Sequence, residues 1–275
     1  MRCERGIFAL DTSFREMSAE SLPIGILNGA PGSAALSDFV EAHRLERPAG
    51  TIEKLEGDTC SEVYFVISGW LAASKSLADG QRQVVDIVLD GGMLDPASSG
   101  SDKSAVEIEF LTRTVFAPLP RESWLRMLSL DPGLRRALLG EREAIMARMF
   151  ERMLRLGKGS AENRIAYALC ELCLRSSDAG LRERRAYPIP LNQPLLGDFC
   201  GLSSVHVCRT LRRLEIDGIV ERTNRMDIVI HKLDALAEIA QIDPEALRGQ
   251  IVSAAAPEFV TACDGRAPQR RAAAS

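Results

Sequence analysis

LNQPLLGDFCGLSSVHVCRTLRRLEIDGIVERTNRMDIVIHK, residues 191–232, decides how the whole chain is read. Asn192 suits the N-cap of a short helix over Gln193–Cys200, because its side-chain oxygen can accept from an orphan amide of the first turn. Gly201 follows, a residue for which positive φ is cheap. Then come Leu202-Ser203-Ser204 and a second helix from about Ser204 to Ile216. Two helices joined by a turn of about 3–4 residues containing Gly make a helix-turn-helix. The inner spacings agree. Gly197 is small where the two helices cross, Leu202, Val207 and Leu211 pack inward, and Leu214 closes the core. Ser203, Ser204, His206, Arg209, Arg212 and Arg213 face outward. A rod buried on one side and cationic on the other is what a major-groove reader needs. Asp217-Gly218 ends the helix. Ile219–Arg222 and Asp227–Ile230 then read as two strands of a wing around Thr223–Met226, with Arg222 and Arg225 expected to meet phosphates.

Upstream, Gly157-Lys158-Gly159-Ser160 is a hinge, and Ser160 starts a helix through Leu174 with Ile165, Leu169, Leu172 and Cys173 on its buried side. Before the hinge, Asp131-Pro132 supplies an N-cap and a first-turn proline. Helical periodicity then runs past Gly140 to Leu156, with Leu134, Leu138, Ile145, Met149, Met153 and Leu156 in one stripe. A helix of roughly 25 residues is about 37 Å long and outruns one small barrel. It is either an ordinary core helix or one that pairs with its twin in a dimer, and its length favours the second.

Further upstream the period is that of strands. Val63–Ile67 closed by Ser68-Gly69, Trp70–Ser74, Gln83–Leu89 stopped by Asp90-Gly91-Gly92, Val106–Phe110 and Thr114–Leu119 are short strands, with Ala78-Asp79-Gly80-Gln81 as a turn. They predict a compact antiparallel roll or barrel. Residues 1–45 read as an irregular arm ending in a short helix near Ala34–His43.

Composition sets the outer limits. The 275 residues, 46% hydrophobic and 26% charged, suit two domains with buried cores and exclude global disorder and small disulfide scaffolds. There is no run of about 18 apolar residues to cross a membrane, and Met1–Arg5 is not backed by an apolar stretch of the kind export needs. The seven scattered cysteines read as reduced thiols of a cytoplasmic protein. Net charge is −4, unevenly spread: residues 1–120 carry −8 and residues 155–232 carry +4, so only the later part is suited to a polyanion. The three histidines, His43, His206 and His231, stand far apart. With no triad, metal motif or phosphate loop in the chain, catalysis is not expected.

The chain resembles the Crp/Fnr superfamily of bacterial transcription regulators over roughly residues 45–235. The resemblance rests on Val63-Tyr64-Phe65-Val66-Ile67-Ser68-Gly69 and Ala78-Asp79-Gly80-Gln81-Arg82-Gln83 in the roll. It rests further on Gly159-Ser160-Ala161-Glu162-Asn163-Arg164-Ile165-Ala166 and on Gly201–Leu211. It implies an α+β protein: an N-terminal cyclic-nucleotide-binding-like β-roll of jelly-roll type, a long dimerisation helix and a C-terminal winged helix-turn-helix. It also implies a homodimer on near-palindromic duplex DNA that recruits or blocks RNA polymerase. The expected division is an arm over 1–45, the roll over 46–120, the dimerisation region over 121–157, the DNA-binding domain over 158–235 and a partly disordered tail over 236–275. The expected DNA-facing residues are Ser203, Ser204, Val205, His206, Arg209, Thr210, Arg212, Arg213, Arg222 and Arg225. Arg209 matches the family's guanine- or phosphate-contacting arginine, and a bidentate contact to guanine suits it. Many members carry Glu where this chain has Val205. Valine cannot accept from cytosine but can touch a thymine methyl, so the operator should differ from the best-known ones.

For the roll, the resemblance raises a cyclic nucleotide or an iron–sulfur cluster. A ligand pocket would use Gly91, Gly92, Lys103 and Ser104. However, Asp90–Pro96 holds no Glu for a ribose, and Lys103 replaces the fork of an arginine by a point charge. Only Cys3 and Cys60 lie in the N-terminal half, two thiolates where such a cluster takes four. The sequence therefore argues against both, and names no metal site. Cys170 and Cys173 sit in an apolar helical run and read as core thiols. Cys208, beside Arg209, is a candidate redox-sensitive thiol. The competing reading of the chain is a ligand-binding module whose winged helix meets protein instead of DNA.

Overall fold

The computed structural model describes residues 33–97, 101–176, 187–223 and 227–253. A helix, α1 (Ser33–Ala42), precedes eight strands: β1 (Leu45–Arg47), β2 (Ile52–Lys54), β3 (Glu62–Ser68), β4 (Leu71–Ser76), β5 (Arg82–Val88), β6 (Met93–Leu94), β7 (Glu107–Phe110) and β8 (Thr114–Pro120). They form two antiparallel sheets, ordered β1-β8-β3-β6 and β2-β7-β4-β5. Between the sheets, Tyr64, Val66, Leu71, Val88, Ile108, Phe110 and Phe116 make one apolar layer. Neighbouring β3 residues point the other way, so Val63, Phe65 and Ile67 face a layer of helices. Burial on both faces is why β3 reads as a continuous apolar run instead of an alternating one. Among the strands, β1, β2 and β6 were not expected. They are only two or three residues long, and two of them are largely charged, which leaves no period to detect.

Two helices follow, α2 (Arg121–Leu130) and α3 (Pro132–Lys158). Trp124 of α2 meets Phe65 edge-on with ring centroids 5.3 Å apart. Asp131 caps α3 as expected, accepting from Gly133 N at 2.7 Å and Leu134 N at 3.1 Å. α3 continues through Gly140 without a break. Its apolar stripe is not the one expected. Leu134, Ala137, Ala144 and Arg148 face the molecule, whereas Leu139, Met146, Met149, Phe150 and Met153 are exposed on the opposite side. The expected stripe is split between the two faces, with Leu134 on the inner one and Met149 and Met153 on the exposed one, because the rest of the inner face is alanine and arginine, which carry little hydrophobic signal.

After the break at Gly159 come α4 (Ala161–Arg175), β9 (Tyr187–Ile189), α5 (Gln193–Cys200), α6 (Ser204–Ile216), β10 (Val220–Arg222), β11 (Ile228–Ile230), α7 (Leu233–Ala240) and α8 (Pro244–Ile251). Ser160 Oγ accepts from Asn163 N at 3.1 Å to start α4. α4 is the central rod of this half, with Ile165, Leu169, Leu172 and Cys173 wholly buried. The outer face of the second sheet, through Ala72, Val84 and Ile87, joins the same core as α4, α5 and α6. Residues 236–251, expected as part of a partly disordered tail, instead lie in α7 and α8. Leu236, Ala237, Ala240, Leu247 and Ile251 are buried in that core, and Asp243 caps α8. The arm before Ser33 and the chain after Ser253 lie outside the described residues.

Candidate nucleic-acid interface

The interface is assembled by α5, α6 and the three-stranded sheet β10-β11-β9. Asn192 Oδ1 accepts from Leu195 N at 2.8 Å and starts α5. Gly201 ends it with φ +61°, turning the chain toward α6. Gly197 is required by close approach, since a Cβ there would stand 2.8 Å from the Leu202 carbonyl oxygen. Val207, Leu211 and Leu214 are fully buried, which presses one side of α6 onto α4 and α5 and fixes the other toward solvent. β9, which carries Pro188, is an edge strand of the wing sheet, where proline's missing N–H is tolerated.

Most of the expected residues come to one surface. Ser203, Ser204, Val205, His206, Arg209, Arg212 and Arg213 are exposed, and Thr210 is half-buried at the margin. At helical spacing, Val205, Arg209, Arg212 and Ile216 form the outermost line. Val205 is 62% exposed and Ile216 77%, an apolar contact residue at each end of a cationic pair. In the sequence Ile216 is indistinguishable from a core residue that ends the helix. Ser203 Oγ lies 2.9 Å from His206 Nδ1, which orients the ring at the start of α6. Arg213 Nη1 donates to Glu162 Oε2 of α4 at 3.2 Å.

Arg222 differs from expectation. It forks onto Glu215 at the end of α6, with Nε donating to Oε1 at 2.7 Å and Nη2 to Oε2 at 2.5 Å, while its backbone N–H donates to Oε1 at 3.1 Å. Those bonds hold the Glu215 carboxyl below its usual range and push the guanidinium up, with the Cys208 thiol close enough to contribute. The wing is thus tied to the reading helix through Arg222. Its other expected cation, Arg225, lies outside the described residues.

The expected ligand residues are engaged within the roll. Gly91 sits in the turn after β5 with φ +77° and donates to Val66 O at 3.0 Å. A Cβ on Gly92 would meet Val88 Cγ1 at 2.7 Å. Lys103 Nζ donates to Thr59 Oγ1 at 3.0 Å, and buried Ser104 Oγ donates to Val106 O at 2.6 Å. Cys170 and Cys173 are buried in α4, and burial pushes the Cys173 thiol up to about 12. Cys208 is exposed on α6. Cys3 lies outside the described residues. Among the described residues no helix is long and apolar enough to cross a membrane, and no group of His, Cys, Asp and Glu gathers as a metal site would.

Comparison with known proteins agrees with this construction. Residues 163–239 match the Crp-like helix-turn-helix domain and residues 45–131 the cyclic nucleotide-binding domain. The nitrogen fixation regulation protein FixK of Bradyrhizobium diazoefficiens is 30% identical over 200 residues, covering 68% of this chain and 78% of its own. The transcriptional activator protein FnrA of Stutzerimonas stutzeri is 28% identical over 191 residues, covering 68% and 76%. Among solved structures, FixK2 from Bradyrhizobium japonicum superposes with a TM-score of 0.63 at 23% identity, over 73% of this chain and 98% of that one. A roll of two antiparallel sheets, a long helix and a winged helix-turn-helix, with an aligned relative of this extent, place the chain in the Crp/Fnr family of DNA-binding transcriptional regulators, which are not enzymes.

Proposed function

We propose that the chain acts as a homodimer on a near-palindromic operator, reading bases with the first two turns of α6 and meeting RNA polymerase there. The observation that carries this is the exposed line Val205–Arg209–Arg212 above a fully buried Val207–Leu211–Leu214 seam. Arg209 takes a guanine edge and Val205 a thymine methyl, with Ser203, Ser204, His206 and Thr210 at the flanks. Arg212 and Arg225 supply phosphate attraction, while Arg213 and Arg222 are held by Glu162 and Glu215. The exposed apolar side of α3 supports the dimer, because a soluble chain rarely leaves so long an apolar strip without a partner. Two reading helices related by a two-fold axis meet half-sites about 10–10.5 base pairs apart.

For the organisation of the chain, we propose the roll over 46–120, the dimerisation region over 121–157 and the DNA-binding domain from 158, with α7 and α8 completing its core. The chain works in the cytoplasm, where the chromosome is. In the roll, the lysine and serine that would cradle a cyclic phosphate are bonded to Thr59 and Val106. We therefore propose a signal other than a cyclic nucleotide, with Cys208 as a redox-sensitive thiol.

The test is selection of duplexes from a random-sequence pool by the purified protein, followed by footprinting. A two-fold symmetric motif with half-sites one helical turn apart is expected. Selection of no duplex, together with retention of α6-dependent protein binding, would favour the module that meets protein instead.

A further inference from the structure

The roll and the DNA-binding helices meet through charge as well as apolar contact. β5 is an edge strand, so carbonyls on its outer side need donors from elsewhere. Arginines of two helices provide them: Arg152 of α3 donates to Val85 O at 2.7 Å and Arg175 of α4 to Ile87 O at 2.6 Å. Between these bonds lies the Asp86 carboxylate. Its oxygens are 2.8 Å from Arg152 Nη2, 3.6 Å from Arg175 Nη1 and 3.9 Å from Arg148 Nη2. Glu171 of α4, with no exposed surface, accepts from Arg152 and from Arg175 Nη1 at 2.9 Å. Glu141 stands 3.3 Å from Arg148, so three guanidiniums face three carboxylates.

The same side chains reach the remaining elements. Arg148 Nη1 donates to Ile251 O at 2.8 Å at the end of α8. The Arg152 guanidinium lies 4.7 Å from the centre of the Phe199 ring of α5. Gln83 of β5 donates to Phe199 O at 3.2 Å. Apolar contact is non-directional and tolerates sliding of one layer on another. A network of forks and carboxylates is directional, so sliding one layer on the other would break its bonds.

We propose that Asp86, a roll residue remote from α6 in sequence, is a positioning residue for DNA binding. By gathering Arg148, Arg152 and Arg175 against the edge of β5, it fixes the orientation in which α5 and α6 stand on the roll. The proposal rests on the reading of α6 as the DNA-facing helix, and it locates the device that presents that helix.

The experiment compares wild type with Asp86→Asn, which keeps the shape and removes the charge, and with Arg175→Met on the other side of the junction. Asp79→Asn, on the turn of the same hairpin, is the control. Each is titrated with the duplex that the wild type selects from a random pool and with an unrelated duplex of equal length. Hydrogen exchange is followed along the chain. Both junction variants are expected to lose about tenfold in affinity for the selected duplex, with a smaller change on the unrelated one. Exchange should be faster in β5 and α5 and unchanged in β3 and β8. A merely destabilised protein would instead weaken on both duplexes together and exchange faster in β3 as well, which would overturn the proposal. Unchanged selected-duplex affinity, or unchanged exchange in β5 and α5, would overturn it too. A wild type that selects no duplex would bring down the DNA-binding reading, and the exchange pattern would still decide whether Asp86 holds the junction.

Discussion

Arg209 and Arg212 are exposed and have no ion-pair partner among the described residues, whereas Arg213 is held by Glu162 and Arg222 by Glu215. The division sorts the cations by role. In the proposed role, an unpaired guanidinium at the second turn of α6 can reach a base edge without first breaking a bond, so Arg209→Ala should cost about 1–3 kcal/mol and relax one base position. Titration against single-base variants of the selected duplex measures both, and uniform weakening at every variant would make Arg209 a phosphate contact. The Arg209 and Val205 positions were legible in the sequence because helical spacing from the buried Val207 and Leu211 fixes which way they point. The Arg222 fork was not legible. Glu215 and Arg222 meet across a chain reversal, and nothing in composition or period distinguishes a paired arginine from a free one. Cys208 faces the same surface and lies beside Arg222. Peroxide converts a thiolate to a sulfenic acid, placing a bulkier polar group against the duplex. Wild-type binding should therefore fall after peroxide and recover with thiol, while Cys208→Ser keeps its affinity. Equal loss in both proteins would exclude the thiol.

α3 shows how one helix carries two messages. Its inner side binds the roll and α8 through alanines and arginines, and its outer side is a run of exposed Leu139, Met146, Met149, Phe150 and Met153. Residues 139, 146 and 153 repeat every seven, the spacing at which two helices keep one seam between them. In the proposed dimer, Met146→Glu would place like charges across the two-fold axis and should weaken self-association at least about tenfold, or ~1.4 kcal/mol. Sedimentation at several concentrations reads this. A variant that stays dimeric at wild-type concentrations would move the interface elsewhere. The helices α7 and α8 were readable in part. Asp243-Pro244 repeats the Asp131-Pro132 signal, and Asp243 Oδ1 does accept from Glu245 N at 2.9 Å. Leu236, Ala237 and Ala240 also recur at helical spacing. The alanine- and arginine-rich end of the chain drew the reading toward a tail and hid them. What no period reveals is their anchor: Asn163 Nδ2 donates to Ile239 O at 3.1 Å and Ala240 O at 3.0 Å, tying the end of α7 to the start of α4.

The uneven charge of the chain takes on meaning at the junction of its halves. The acidic roll contributes Asp86 and the basic half Arg175, with α3 between them contributing Arg148 and Arg152. Sequence reading assigns such residues to solvated faces, because single charges on apolar elements are usually exposed. Here Arg148 is buried and the other three are partly buried, because they pair with one another. Burial alone would raise the Asp86 carboxyl, but Arg152, Arg175 and Arg148 outweigh it and hold the group far below its usual range. Glu171 is lowered in the same way, burial opposing and Arg152 and Arg175 prevailing. A carboxyl whose folded pKa is depressed stabilises the protein fully above its unfolded value, and that stability is lost as pH falls toward the folded one. The Asp86 contribution therefore falls by about 1.4 kcal/mol per pH unit once the pH is below ~4, and that of Glu171 falls in the same direction. Urea unfolding at pH 6, 5, 4 and 3 should show wild-type stability flat between 6 and 5 in this contribution and falling steeply below 4. Asp86→Asn should be less stable at pH 6 and lose less between pH 4 and 3, so that the two curves converge in acid. Parallel curves across that range would mean that the Asp86 charge carries no net stability, and that apolar contact between the second sheet and α4 and α5 holds the halves together.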